Sequence, residues 1–410
     1  MKKTLQTLLF TTVFATFLLT GCQSQSNAKT IVAPTTTDNP DLDWIDKTFK
    51  KQDIWTFVAS EMTLPNEKND RVQKEIAFYE GKTRYFKDVS KRAEPYMYWI
   101  SKEIKDRNLP MELVLIPVIE SGFQTEVVSS QNAAGLWQFV PSTGKNFGLT
   151  QNQRYDGRHD VVASTKAALD LLEKLNKMFD GDWLLTLAAY NSGEGRVMKA
   201  IAANKKKGQP TDYWSLSSLP SGTQQYIPRI LALQTIFKNP EAYGVSLTKA
   251  DKSHALIPVK IDQPIELSAA ADKLGITEGR LQTLNAGYKK GVTRENGEHY
   301  VLLPRALEKR FISSIESGEI ARASFTNSEK STALVSNEKK STNKKSATAK
   351  KASSSPETKI VYTIKKGDSL GLIAQKHGVK LKDLRSWNAI KDDKKLQLGA
   401  KVTIYVKNSS

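Results

Sequence analysis

Leu113-Val114-Leu115-Ile116-Pro117-Val118-Ile119-Glu120-Ser121-Gly122-Phe123 is an apolar run with one carboxylate near its end. It reads as a buried helix that finishes on Glu120. Burial disfavours the charged carboxylate and raises its pKa, as a general acid at neutral pH requires. Taken alone, Glu120 fits equally a helix cap or one half of an ion pair. Two further motifs narrow the choice. Gly135-Leu136-Trp137-Gln138-Phe139 begins fifteen residues after Glu120, and Ala188-Ala189-Tyr190-Asn191-Ser192-Gly193 follows later.

Helical periodicity surrounds these motifs. Phe86, Val89, Ala93, Met97, Ile100 and Ile104 fall at three- and four-residue steps, with Pro95 expected to kink that helix or start a second one. Val161, Thr165, Ala168, Leu172, Leu175 and Phe179 repeat the spacing until Gly181-Asp182 breaks it. Trp183 to Tyr190 and Gln225 to Phe237 read as two more helices. Residues 43–245 are therefore expected to be helical, with an N-terminal extension over 43–95 and a catalytic domain over 96–245.

The three ordered motifs resemble those of lytic transglycosylases with a lysozyme-like domain, over roughly residues 75–245. The resemblance implies a peptidoglycan-cleaving lyase. It would cut the β-1,4 bond between N-acetylmuramic acid and N-acetylglucosamine and leave a 1,6-anhydromuramoyl end. It implies Glu120 as the single acid/base, Ser129 near the N-acetyl group and Gln138 as a substrate-orienting side chain. It implies Tyr190 and Asn191 as further substrate-binding residues, with the tyrosine hydroxyl near the carboxylate. Trp137 departs from the family, where many members carry Met, and is open to a sugar-stacking or a core role. Gly222 stands where many members have Glu before the Thr223-to-Tyr226 step.

The chemistry agrees with a single acid. Most glycosidases hold two carboxylates about 5–9.5 Å apart across the bond. Near Glu120 only Glu126 lies close in sequence, and nothing marks it as a partner. A lysozyme-like hydrolase and a non-catalytic cell-wall-binding lipoprotein are the competing readings. No cofactor is expected.

Residues 326–359 are almost wholly Ser, Thr, Ala, Lys, Asn and Glu and read as a disordered basic linker. A repeat flanks it: Leu267, Ala271, Gly275, Leu281, Asn285 and Ala286 match Leu370, Ala374, Gly378, Leu384, Asn388 and Ala389 at a constant offset. The second copy, 360–407, reads as a βααβ unit. Its Tyr362-Thr363-Ile364-Lys365-Lys366-Gly367-Asp368-Ser369-Leu370, Trp387-Asn388 and Leu398-Gly399 resemble a LysM domain. That resemblance implies a groove for N-acetylglucosamine-containing glycan, with Gly367, Asp368, Ser369, Leu370, Asn388 and Ile390 as contacts. The first copy, 255–305, keeps the apolar pattern but not the Gly-Asp-Ser turn, and reads as a degenerate LysM-like domain. The expected fold is mainly α, a lysozyme-like helical domain followed by small βααβ domains.

At the other end, Lys2 and Lys3 precede an apolar run from Leu8 to Leu19 with the shape of a secretory leader. Leu19-Thr20-Gly21-Cys22 resembles the lipobox of bacterial lipoproteins, the alternative being an ordinary signal peptide with an incidental cysteine. Residues 1–21 are then the signal and 22–42 a tether. Cys22 would carry lipid, and Gln23 after it implies sorting to the periplasmic face of the outer membrane. Among 410 residues Cys22 is the single cysteine and the four histidines are scattered, which leaves no disulfide framework or zinc cluster and no metal site expected. The net charge of +18 calls for an acidic partner. Nucleic acid is not expected, because no recognition motif accompanies the charge. The linker holds eight Lys against three Glu, and residues 360–407 hold eleven Lys plus Arg against four Asp. Most of the excess charge therefore lies in the tail, and peptidoglycan glycan strands are the expected partner.

Overall fold

The computed structural model describes residues 40–65, 69–294, 299–323, 357–364, 370, 373–374, 377, 379, 381–388, 390 and 400–407. The signal segment, Cys22, most of the tether, the linker up to residue 356, Gly367, Asp368 and Ser369 lie outside the described residues. The chain divides into two compact units, Met1–Thr326 and Asn327–Ser410.

The first unit opens with α1 (Pro40–Thr48), α2 (Ile54–Glu61), α3 (Asp70–Tyr79) and α4 (Thr83–Asp106). The Asp53 and Asn69 side chains cap α2 and α3 by accepting backbone N–H bonds. Helix α4 continues through Pro95, across the boundary expected at 95/96. Every residue from Ala93 to Ser101 is buried, so packing on both sides of Pro95 holds the helix together despite the missing N–H.

A 3₁₀ turn over Met111–Leu115 leads into the short α5 (Ile116–Glu120). Pro117 lies in its first turn, where no intrahelical N–H bond is lost. Next come α6 (Pro141–Asn146), α7 (Val161–Met178), α8 (Trp183–Ser192), α9 (Glu194–Lys206) and α10 (Ser221–Lys238). Leu113, Leu115 and Ile116 are fully buried in one apolar cluster with Leu172 of α7, Ala188 of α8 and Ile227 and Ile230 of α10. Each such side chain contributes about 1.5–3 kcal/mol relative to exposure. That burial fixes α5, and with it the position of Glu120.

The first repeat copy follows as β1 (Leu256–Ile261), α11 (Leu267–Leu274), α12 (Glu278–Leu284) and β2 (His299–Pro304), with the strands antiparallel and Val259 opposite Val301. It runs past the expected end at 305 into α13 (Glu308–Glu316). Phe311, Ile312 and Ile320 from this extension are buried with Ile257, Leu274 and Leu303, so the extension completes the apolar cluster. Helix α1 is clipped to this copy: the Arg305 guanidinium donates to both Asp46 oxygens at 2.9 and 2.8 Å, and Lys252 adds a contact at 3.1 Å. The Arg305 bond, with Lys252 beside it, holds the Asp46 carboxyl well below its ordinary range, at about 2.

In the second unit, β3 (Glu357–Thr363) and β4 (Lys401–Lys407) pair antiparallel, with Ile360 opposite Ile404, and α14 (Leu381–Trp387) lies between them in sequence. Strand β3 starts at Glu357, inside the segment read as linker, because its residues pair with β4 as far as Glu357 opposite Lys407. Leu370, Ile373, Leu384, Val402 and Ile404 form its buried cluster.

One feature of the repeat is physical. The Asn285 amide donates to Leu281 O and Leu302 O, and its oxygen accepts from Leu302 N at 2.8 Å. The Asn388 amide donates to Leu384 O and Thr403 O, and its oxygen accepts from Thr403 N at 2.6 Å. In each copy one carboxamide pins the second helix to the returning strand.

Candidate active site

Glu120 ends α5 half-buried, and the Tyr226 hydroxyl of α10 donates to its Oε1 at 2.8 Å. Burial raises the Glu120 pKa above its ordinary value, and the Tyr226 bond partly offsets the rise by favouring the carboxylate. No other charge acts appreciably on Glu120 among the described residues, and Glu126 is exposed. The tyrosine bonded to the carboxylate is therefore Tyr226 and not Tyr190. The Tyr190 hydroxyl donates instead to Trp137 O at 2.8 Å. Tyr190 still senses Glu120: burial and the negative charge beside it push its pKa well above the ordinary tyrosine value. Tyr226 is shifted the same way by the same causes.

The 125–139 loop forms a wall beside α5. Ser121, next to Glu120, donates its hydroxyl to Leu136 O at 3.0 Å, which ties the loop to the end of α5. Gly135 adopts φ +78°, and a Cβ there would sit 1.8 Å from Arg158 O, so glycine is required by both conformation and space. Gln138 also has positive φ, at 50°, and its amide donates to Gly135 O at 2.9 Å. Trp137 is only 1% exposed and its indole N–H donates to Thr165 Oγ1 at 2.9 Å. It is a core residue and not a sugar-stacking surface.

Ser129 closes a turn in the same loop. Its N–H donates to Ala133 O, and its hydroxyl accepts from Ala133 N at 3.1 Å. Asn191, exposed after Tyr190, accepts from the Thr223 hydroxyl at 2.8 Å and so joins α8 to α10. Gly222 faces open space. The structure thus brings Glu120, Tyr190 and Tyr226 together, with Gln138 on the adjoining wall. Sequence reading missed Tyr226 as the carboxylate's partner. Its signal was a tyrosine one turn beyond Thr223 on the apolar face of a helix.

Three of the residues expected to contact glycan lie among the described residues of the second repeat copy. Leu370 is fully buried in the core, and the Asn388 amide is bonded to the backbone of Leu384 and Thr403. Ile390 packs, partly buried, against the same core.

Comparison with known proteins agrees with this layout. A Transglycosylase SLT domain model matches residues 97–212, a lytic transglycosylase MltD LysM-like domain model matches 255–319, and a LysM domain model matches 362–404. The membrane-bound lytic murein transglycosylase D of Escherichia coli (strain K12) is 43% identical over 403 residues, 96% of this chain and 84% of that protein. Its counterpart from E. coli O6:H1 gives the same figures. Among solved structures, the 70 kDa soluble lytic transglycosylase of E. coli aligns at 19% identity and TM-score 0.32, over 51% of this chain and 38% of that one. Identity sustained along nearly the whole chain, through all three matched domains, decides the family: this chain belongs to the membrane-bound lytic murein transglycosylase D family.

Proposed function

We propose that the protein is a peptidoglycan lytic transglycosylase that cleaves the β-1,4 bond between N-acetylmuramic acid and N-acetylglucosamine and leaves a 1,6-anhydromuramoyl end. The observation that carries this reading is Glu120, a half-buried carboxyl with raised pKa whose one bonded partner among the described residues, Tyr226, is neutral. A lone acid of this kind suits a reaction in which the substrate supplies the second group.

Protonated Glu120 gives its proton to the glycosidic oxygen as the C1–O bond breaks. The N-acetyl carbonyl oxygen of the muramoyl sugar attacks C1 and holds the positive charge. The 6-hydroxyl of the same sugar then bonds to C1, displaces that oxygen and returns its proton to the Glu120 carboxylate. No water is consumed, and Glu120 ends as it began. Tyr226 stabilises the carboxylate between the steps. Gln138, Ser129 and Asn191 orient the sugars, and Tyr190 holds the wall through Trp137 O.

The remaining assignments follow the same reading. Cys22 carries the lipid that anchors the enzyme at the periplasmic face of the outer membrane, and the LysM domain at 360–407 holds glycan strands. Among the described residues no helix is long and apolar enough to cross a membrane.

Mass analysis of products from purified sacculi tests the reaction. An anhydro end is one water lighter than a hydrolysed end, and Glu120→Gln should abolish it while wall binding persists. Hydrolysed ends from the wild-type chain, or an active Glu120→Gln, would refute the proposal.

A further inference from the structure

The first repeat copy and the catalytic body share a polar seam. The strap of residues 152–160, between α6 and α7, meets the module along one edge. Asp156 N donates to Gly287 O at 2.9 Å, and Lys289 N donates to Arg154 O at 2.8 Å. Asp160 is buried at the head of α7, where it caps the helix by accepting from Ala163 N. It also accepts from the Tyr155 hydroxyl at 2.8 Å and from the hydroxyl of Tyr300, on β2 of the module, at 2.7 Å. The fit is close: a Cβ on Gly287 would lie 3.0 Å from Asp160 Cβ and 3.0 Å from the Tyr155 ring.

The strap's other edge supports the active-site wall. The Arg158 guanidinium donates to Asn132 O at 2.7 Å and Phe139 O at 3.3 Å, and its own carbonyl lies against Gly135. His159 Nδ1 meets Thr125 O at 2.7 Å. The Thr125 hydroxyl in turn donates to Thr283 O of the module at 2.9 Å. Farther along α7, Thr165 receives the Trp137 indole N–H. The loop that carries Gln138 therefore rests on the strap and α7, and both rest on the module.

Among the described residues, part of the module's edge is taken up in this arrangement. Residues 285–288, the counterparts of 388–391 by the repeat offset, include the Gly287 and Tyr288 contacts to the strap. The 263–267 turn is stitched to 291–293 by Leu267 N to Gly291 O at 2.7 Å, Thr293 N to Ile265 O at 3.0 Å and Ile265 N to Thr293 Oγ1 at 2.9 Å.

We infer that the first LysM-like module is a brace for the catalytic site and not a glycan-binding arm, with Tyr300, acting through Asp160, as a positioning residue for the Gln138 wall. The inference deepens the proposed transglycosylase reading and rests on it.

The test uses the full chain acting on purified sacculi. Tyr300→Phe keeps the ring and removes only the bond to Asp160. It should lower kcat at unchanged KM, by up to about 100-fold if the wall shifts by about 1 Å. Gly287→Ala should reproduce the kcat loss by a steric route. The double variant Tyr300→Phe/Gln138→Ala should be no slower than Gln138→Ala alone, because both changes act through one wall.

A raised KM at unchanged kcat would overturn the inference by making this face a glycan-binding surface. Losses that multiply in the double variant, or a lowered melting temperature at unchanged kcat, would reduce the module to a stabiliser. If the wild-type chain released no anhydro ends, the transglycosylase reading would fail first. A normal wild type with an indifferent Tyr300→Phe would sink the brace alone.

Discussion

Gly135→Ala is the sharpest test of how the active-site wall is built. The added Cβ would lie 1.8 Å from Arg158 O, against a normal carbon–oxygen separation of about 3.3 Å or more, so one backbone must move by more than 1 Å. The left-handed φ of +78° adds roughly 1–2 kcal/mol for any residue with a Cβ. Overpacking a well-filled site adds about 1–3 kcal/mol. The expected loss is therefore about 2–5 kcal/mol, within the range of severe single substitutions. Movement of Arg158 would also strain its bonds to Asn132 O and Phe139 O and its pair with Asp156 at 2.7 Å. Urea unfolding of the full chain gives the stability term, and the rate of product release from sacculi gives the catalytic one. A Gly135→Ala protein with an unchanged unfolding midpoint and rate would refute the close approach of the strap to the wall and the reasoning built on it.

Other outcomes follow from the same geometry. Tyr226→Phe removes a bond that lowers the Glu120 pKa, so the alkaline fall of the rate profile, where the acid loses its proton, should move to higher pH; an unmoved limb would separate Tyr226 from Glu120. Glu120 has a raised pKa in the fold, so its ionisation destabilises the folded chain as pH rises from the unfolded carboxyl range through the folded pKa. Glu120→Gln should accordingly melt higher than wild type at neutral pH, with the difference vanishing in acid; a lower melting point at neutral pH would contradict this. Removing residues 326–410 should abolish most of the salt-sensitive binding to sacculi, because the excess positive charge is concentrated there, and an unchanged salt slope would contradict that.

Much of the helical body was legible because its signals are local. The three- and four-residue spacing from Phe86 to Ile104 and from Val161 to Phe179 becomes α4 and α7, since one-sided apolar periodicity can be satisfied only by a packed helix. The repeat was legible because its constant offset preserves the asparagine that fastens helix to strand in each copy. What failed was non-local. Pro95 reads as a kink or as the start of a second helix, and only the packing on both its sides shows that one helix runs through it. The end expected at residue 305 ignores that the module's apolar cluster needs Phe311 from the next helix. Which tyrosine reaches Glu120 depends on how α10 crosses α5, and 106 residues separate Tyr226 from the carboxylate. Leu370 and Asn388 recur at the repeat spacing, and in the fold that spacing reports the core and its pin.

The clip between Asp46 and Arg305 has a mechanical consequence. The described chain enters the first unit at Pro40 and leaves it after Ala323, on the far side of α13. The paired Asp46–Arg305 bonds join α1 to the end of β2 at Pro304, so tension between these two ends has a second route beside the covalent chain. From Arg305 the chain leads directly into α13, so this route bypasses the covalent stretch that holds α5, α8 and α10. Force applied between the two ends would then be shared between this clip and the stretch that carries Glu120, in place of falling on that stretch alone.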